Sequence, residues 1–138
     1  MPRRRQSEAN TQQWLDAYTR AWETYDPAAI GDLFTVDAEY RWHPWDEGDD
    51  VARGRAAIVE AWLKNRDQPG TYSGEYRPLL VDGSTAIAVG TSRYFADRSQ
   101  RKLVREYHNL WVLEFDQGRR CRSFTEWFMR SPRPRAHR

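Results

Sequence analysis

Apolar residues recur with two different periods along this chain, and the change of period divides it. From Ser7 to Asp26, Trp14, Tyr18, Trp22 and Tyr25 stand at helical spacing, with Leu15 and Ala21 beside them. That stripe predicts an amphipathic helix capped by Ser7, Asn10 or Thr11. Asp26-Pro27 stops it and opens a second, short helix, because proline is accepted at the first helical position. Ile30, Leu33 and Phe34 form the inner edge of that helix. Ala38 to His43 (AEYRWH) reads as a strand stopped by Pro44, and the acidic WDEGDDVARG after it as a loop. Arg55 to Arg66 returns to helix, burying Ile58, Val59, Trp62 and Leu63.

Past Gln68-Pro69-Gly70 the chain turns to β-branched and aromatic residues. Tyr72–Val81, Thr85–Phe95, Leu103–Phe115 and Cys121–Met129 are four predicted strands. Asp82-Gly83 and Asp116-Gln117-Gly118 are the turn signals between pairs of them. Helices followed by a meander predict an α+β domain with an antiparallel sheet. A strand of thirteen residues, Leu103–Phe115, is long enough for the sheet to curl and leave a cone beneath the helices.

Composition narrows the class. The chain has 138 residues, which suits one domain, and seven Trp, seven Tyr and five Phe supply bulk for its core. No apolar run approaches the ~20 residues of a membrane-spanning helix, and no hydrophobic stretch follows the arginines of MPRRRQSEAN. Cys121 stands alone, so an internal disulfide is impossible. A cytoplasmic protein without an export signal is the expectation. The net charge of +2 hides an uneven distribution. Three arginines at the head and four at the tail leave Gln6–Met129 at −5. A basic face belonging to the folded part is therefore missing, which argues against a nucleic-acid partner. Pro132 and Pro134 with little apolar company predict a frayed tail.

Three stretches carry a resemblance to a known family. They are Leu33-Phe34-Thr35-Val36-Asp37-Ala38-Glu39-Tyr40; Arg53-Gly54-Arg55-Ala56-Ala57-Ile58; and Leu113-Glu114-Phe115-Asp116-Gln117-Gly118 followed by Thr125-Glu126-Trp127-Phe128-Met129. In this order the chain resembles the nuclear transport factor 2-like superfamily and its SnoaL-like branch over roughly residues 8–130. The resemblance implies a cone-shaped α+β barrel, three N-terminal helices packed on a strongly curved antiparallel sheet. It gives a single domain over 7–130, with 1–6 and 131–138 as basic, flexible tails. The superfamily includes ketosteroid isomerases, polyketide cyclases, epoxide hydrolase relatives and dehydratases, along with noncatalytic members, so the fold leaves the reaction open.

Three residues are candidates for chemistry. His43, in Trp42-His43-Pro44, falls where the resembling isomerases carry an Asp-Pro whose Asp is the general base. An imidazole there could take up a proton near neutral pH, or could simply cap a strand end. Glu126 shares a strand face with Phe124 and Phe128, so burial would favour its protonated form, as a general acid requires. Pairing with an arginine is the competing account, and Phe124 stands where the SnoaL-like cyclases have a histidine. Tyr18 falls where the isomerases carry an oxyanion-hole tyrosine, although it also lies on the core stripe of the first helix. Trp111 replaces the isomerases' second acidic donor, which counts against steroid isomerisation. A four-residue turn would set Asn109 opposite Glu126 and Trp111 opposite Phe124, and a one-residue slip would bring in His108 instead.

The ligand wall is expected from Trp14, Trp42, Trp62, Tyr107, Asn109, Trp111, Phe124 and Phe128. The expected function is binding of a small, largely apolar molecule. Any catalysis would be cofactor-free isomerisation, cyclisation, dehydration or hydrolysis by acid–base work. The alternative is a noncatalytic ligand-carrying or structural dimer. No cofactor and no metal site are expected, since the three His and one Cys lack zinc spacing and the acidic loop lacks the calcium-loop pattern. Phosphate-loop, nucleophile-elbow and dinucleotide motifs are absent. Thr125, Trp127 and Met129, with His108, Leu110 and Val112, would expose an apolar sheet face in a monomer, which predicts a homodimer through that face.

Overall fold

The structure is a computed structural model describing residues 2–132, with side chains from Ser7 onward. In chain order its elements are α1 (Pro2–Thr24), α2 (Pro27–Asp32), β1 (Phe34–Arg41), β2 (Ala52–Arg53), α3 (Arg55–Lys64), β3 (Tyr72–Asp82), β4 (Thr85–Phe95), β5 (Leu103–Phe115) and β6 (Cys121–Arg130). The predicted tail lies outside the described residues from Arg133 on. Three helices pack against one six-stranded curled sheet that does not close, an α+β arrangement.

Helix α1 begins earlier than predicted. Ser7, Asn10 and Thr11 all lie inside it, and none is its cap. Thr11 instead donates its hydroxyl to the Ser7 carbonyl at 2.8 Å, one turn back. The helix ends where Tyr25 takes a positive φ of 51°. Asp67 fastens that break: its backbone N–H donates to the Tyr25 hydroxyl, which donates in turn to Asp67 Oδ2, both at 3.2 Å. Asp26 then caps α2, its Oδ1 accepting from the Ala28 N–H, with Pro27 in the first turn.

The strand order is β2-β1-β6-β5-β4-β3. The predicted meander holds for β3 to β6, which pair antiparallel throughout. The sheet as a whole is mixed, however, because β1 lies parallel to β6. Side-chain alternation reports which face a residue takes and is blind to strand direction, so the sequence pattern could not distinguish the two. Phe34, read as the edge of the second helix, is the first paired residue of β1, opposite Cys121. The acidic loop also contains a short strand, with Arg53 and Ala52 opposite Glu39 and Tyr40. Gly54 follows with φ 91°, a conformation strained for other residues, and donates to the Ala38 carbonyl at 2.7 Å as α3 begins.

The core lies between the helices and the concave sheet face and is dominated by rings. Trp62 of α3 is 1% exposed and meets Tyr18, Trp22, Phe34 and Tyr40 edge-on. Gly90 makes room for another contact. It pairs with Tyr76 on one side and Asn109 on the other, and a Cβ there would run into the Tyr76 ring. Without one, Tyr76 lies flat and stacks on Trp111 at 3.8 Å between centroids.

Candidate active site

The concave face and α1 leave a cavity of about 210 Å³. Strand alternation decides what enters it. On β6, Glu126 and Phe128 point in, and on β5 Arg105, Tyr107, Asn109 and Trp111 do. Ser92 and Tyr94 come from β4 and Tyr72 from β3. Tyr40 of β1, Trp42 just beyond it, and Tyr18 and Trp22 of α1 complete the wall. A larger hollow of about 560 Å³ lies by the β5–β6 turn, but its Asp116, Arg119 and Arg122 are exposed surface groups.

Glu126 is the acidic group of this wall. Its neighbour in the pairing register is Trp111, and Phe124 faces Leu113. The expected pairings of Asn109 with Glu126 and Trp111 with Phe124 are thus off by two residues. The β5–β6 turn is longer than assumed, and a register irregularity falls between Glu114 and Phe115. A two-residue shift preserves the face, so Asn109 points inward and His108 outward, where it meets Glu106 Oε1 at 3.0 Å.

Burial pushes the Glu126 carboxyl up from its usual 4.5 to about 7; the Trp111 indole draws it down in part. Burial is the larger of the two effects, and the indole N–H is not close or aligned enough to satisfy itself fully on the carboxyl. The arginine partner considered from sequence does not appear: among the described residues no ion pair includes Glu126. The side chain keeps some accessibility, as a group on a cavity wall must.

Tyr18 shares a 2.7 Å hydrogen bond with Tyr40 between their hydroxyls. Burial drives both phenols far above their ordinary pKa, so the pair stays neutral and can offer one further O–H or lone pair. Asn109 donates through Nδ2 to the Tyr76 hydroxyl at 2.7 Å, and Tyr76 meets Ser92 Oγ at 2.5 Å. The other end of the amide, Asn109 Oδ1, is buried without a partner, as are the indole N–H groups of Trp22 and Trp111. Arg105 lies over the Tyr94 ring at 4.4 Å and reaches Asp67 Oδ1 at 3.6 Å.

His43 is not on the cavity wall. Its ring stacks on Trp45 at 4.8 Å and lies 5.3 Å from Phe128, which does line the cavity. Asp46, buried beside it, accepts the His43 backbone N–H at 3.0 Å through Oδ2 and meets its Nδ1 at 3.1 Å through Oδ1. The histidine is therefore fixed at the rim, one ring away from the cavity, and is not brought together with Glu126. Trp14, Trp62 and Phe124, expected on the wall, are packed in the core instead. Trp14 spends its indole N–H on the Leu33 carbonyl at 2.9 Å. Of the expected wall, Trp42, Tyr107, Asn109, Trp111 and Phe128 do line the cavity.

Several wall residues escaped the sequence reading. Tyr40 alternates with the expected Trp42 along AEYRWH, and Ser92 with Tyr94 along β4, so period-two bookkeeping would have found these three. Arg105 carried no such signal, because a charged residue near a strand end is ordinarily solvated.

Comparison with known proteins agrees with this architecture. A search of curated proteins found none with significant similarity. Among solved structures, the epoxide hydrolase/cyclase-like enzyme SalBIII, described in pyran ring formation in polyether salinomycin, aligns at TM-score 0.68 and 18% identity. The match covers 90% of this chain and 94% of that one. An NTF-2 like protein of unknown function from Burkholderia xenovorans LB400 aligns at TM-score 0.65 and 19% identity, covering 88% and 84%. An LEH-like epoxide hydrolase from M. tuberculosis gives TM-score 0.60 at 15% identity, again covering 88% and 84%. At these identities the structures speak for the fold alone. Residues 15–123 match the SnoaL-like domain, and the chain belongs to that family, within the NTF2-like fold.

Proposed function

We propose that the chain binds a small, largely apolar molecule in this cavity and carries out cofactor-free acid–base chemistry on it, with Glu126 as the proton carrier. The supporting observation is the Glu126 carboxyl, held on an aromatic wall without a counter-cation and titrating at about 7. A group poised at that value can give and take a proton at neutral pH with little driving force lost in either direction. The Trp111 N–H and the Tyr18–Tyr40 pair supply donors for an oxygen of the substrate, and Asn109 Oδ1 supplies an acceptor. His43, held by Asp46 beyond Phe128, stays outside this chemistry. Isomerisation, cyclisation, dehydration and epoxide opening all fit this equipment. The epoxide hydrolase named among the structural neighbours puts epoxides first for trial.

The test is a titration of small epoxides, enones and cyclic ketones against the tryptophan fluorescence of the purified protein, followed by product analysis. Trp22, Trp42 and Trp111 line the cavity, so occupancy should quench emission with a saturable curve. Turnover should fall at least a hundredfold in Glu126→Gln while the fluorescence titration survives. Unchanged turnover in that variant would overturn the assignment. Saturable binding without turnover would favour a ligand carrier, a reading helped by the hydrogen bonds that Tyr76, Ser92 and Asn109 already make among themselves.

The proposal includes a homodimer through the outer sheet face. Met129 is 75% exposed and Trp127 44%, on the face they share with the half-buried Leu110 and Val112. Sedimentation at micromolar protein should show twice the 16.4 kDa chain mass, and Trp127→Glu with Met129→Glu should return it to 16.4 kDa. A wild-type monomer would remove the dimer. The cytoplasm is its proposed location, on the strength of a lone cysteine that cannot form an internal disulfide.

A further inference from the structure

The wall around Glu126 is more aromatic than an apolar ligand needs. Phenol and indole rings from α1, β1 and its end, β3, β4 and β5, with the Phe128 phenyl of β6, line one volume of about 210 Å³. The face of such a ring carries partial negative charge and attracts a cation within about 6 Å of its centre. The protein already uses its own wall in this way, since the Arg105 guanidinium lies over Tyr94 at 4.4 Å and 5.9 Å from the Tyr107 ring. That arginine is bound to Asp67 and its charge is spoken for. Deeper in the cavity, Glu126 has rings around it and no cationic side chain on it.

We infer that the cavity is an aromatic cage for an organic ammonium group, with Glu126 as its counter-ion. This rests on the cavity being a small-molecule site and names the class of molecule it takes. A largely buried carboxyl without a counter-cation can be neutralised by a proton or by a bound cation. An ammonium ligand supplies the second, and its methyl or methylene groups meet Trp22 and Trp42, the half-buried indoles of the wall. If the ligand nitrogen bears hydrogen, Asn109 Oδ1, buried without a donor, accepts from it. The indole N–H of Trp22 remains for an oxygen on the same molecule, which suits an amino alcohol or an amino ketone.

The consequence for pH follows from the groups that face the cavity. Burial moves Tyr18 on α1, Tyr40 on β1, Tyr72 on β3 and Tyr94 on β4 upward, away from neutrality. Arg105, paired with Asp67, and Tyr107 line the cavity from β5, and His43 lies beyond Phe128. A cation must displace the proton from Glu126, so it binds better as pH rises through about 7.

The probes are choline and its uncharged carbon isostere, 3,3-dimethylbutanol, titrated by tryptophan fluorescence and calorimetry at pH 6 and pH 8. The titrations are repeated in His43→Gln so that the rim histidine does not contribute. Choline should bind about tenfold more tightly than the isostere at pH 8 and lose roughly tenfold by pH 6, while the isostere stays level. Glu126→Gln, matching the protonated side chain in shape, should bring choline down to the isostere's affinity and leave the isostere unchanged. Equal binding of both probes, or binding of the isostere alone, overturns the ammonium assignment and leaves the cavity as a site for apolar molecules. If neither binds, the cage is overturned, and the epoxide, enone and ketone titration judges the small-molecule site separately.

Discussion

Glu126→Gln stabilises the protein at pH 8 and leaves its stability nearly unchanged at pH 4. In the unfolded chain this carboxyl ionises near its usual 4.5, and in the folded protein burial holds it protonated up to about 7. Between those values the folded state carries the extra proton. Stability contributed by the neutral group is therefore complete below about 4.5, declines as pH rises, and is lost once pH passes about 7. The loss is on the order of 2–3 kcal/mol for a shift of this size on a partly accessible group. Glutamine keeps the shape and never ionises, so it escapes the penalty. Thermal melts of both proteins at pH 4, 6 and 8 should show curves that coincide in acid and separate toward base. Parallel curves at every pH would mean that Glu126 ionises at the same pH in the folded and the unfolded protein. A stability gain paired with a loss of turnover is the usual signature of a group retained for function at some cost to the fold.

Trp62→Ala has the opposite and larger effect. Trp62 is 1% exposed, and its ring is shared by Tyr18 and Trp22 of α1 and by Phe34 and Tyr40 of β1. Removing it opens a void where α1, α3 and β1 meet, with an expected cost of about 3–5 kcal/mol. Domains of this kind have about 5–15 kcal/mol in total, so the variant should melt at much lower temperature or lose cooperativity. Its indole N–H is buried without a partner, so Trp62→Phe forfeits less than its size suggests. A urea midpoint for Trp62→Ala within a few tenths of molar of the wild type would contradict the packing described here.

Much of the architecture was legible because its elements announce themselves locally. Asp82-Gly83 and Asp116-Gln117-Gly118 mark turns, and the Trp14–Tyr18–Trp22–Tyr25 stripe marks the buried face of α1. Glu126 could be placed on the inner face because period-two alternation survives any error in pairing. The pairing itself was not legible. It depended on an irregularity between Glu114 and Phe115 that no residue type in that stretch signals. Nor was His43 readable as a rim group. Its orientation is set by Asp46, three residues on in a loop that looked merely acidic and solvated. Trp14, Trp62 and Phe124 illustrate the remaining difficulty: in an aromatic-rich chain, the rings that fill the core and those that line a cavity share the same spacing and composition.

The parallel pairing of β1 with β6 also sets an order of events. Phe34 meets Cys121 and Tyr40 meets Phe124, contacts separated by more than eighty residues of chain. On a ribosome, β1 emerges long before its neighbour exists, and until then only the two-residue β2 can pair with it. The early third of the chain must wait, with β1 lacking its β6 neighbour, while the hairpins of β3 to β5 form among themselves. Synthesis of Cys121–Arg130 then inserts the strand that joins the two halves and brings Glu126 with it. A nascent chain stopped before that strand has neither a finished sheet nor a carboxyl on the cavity wall.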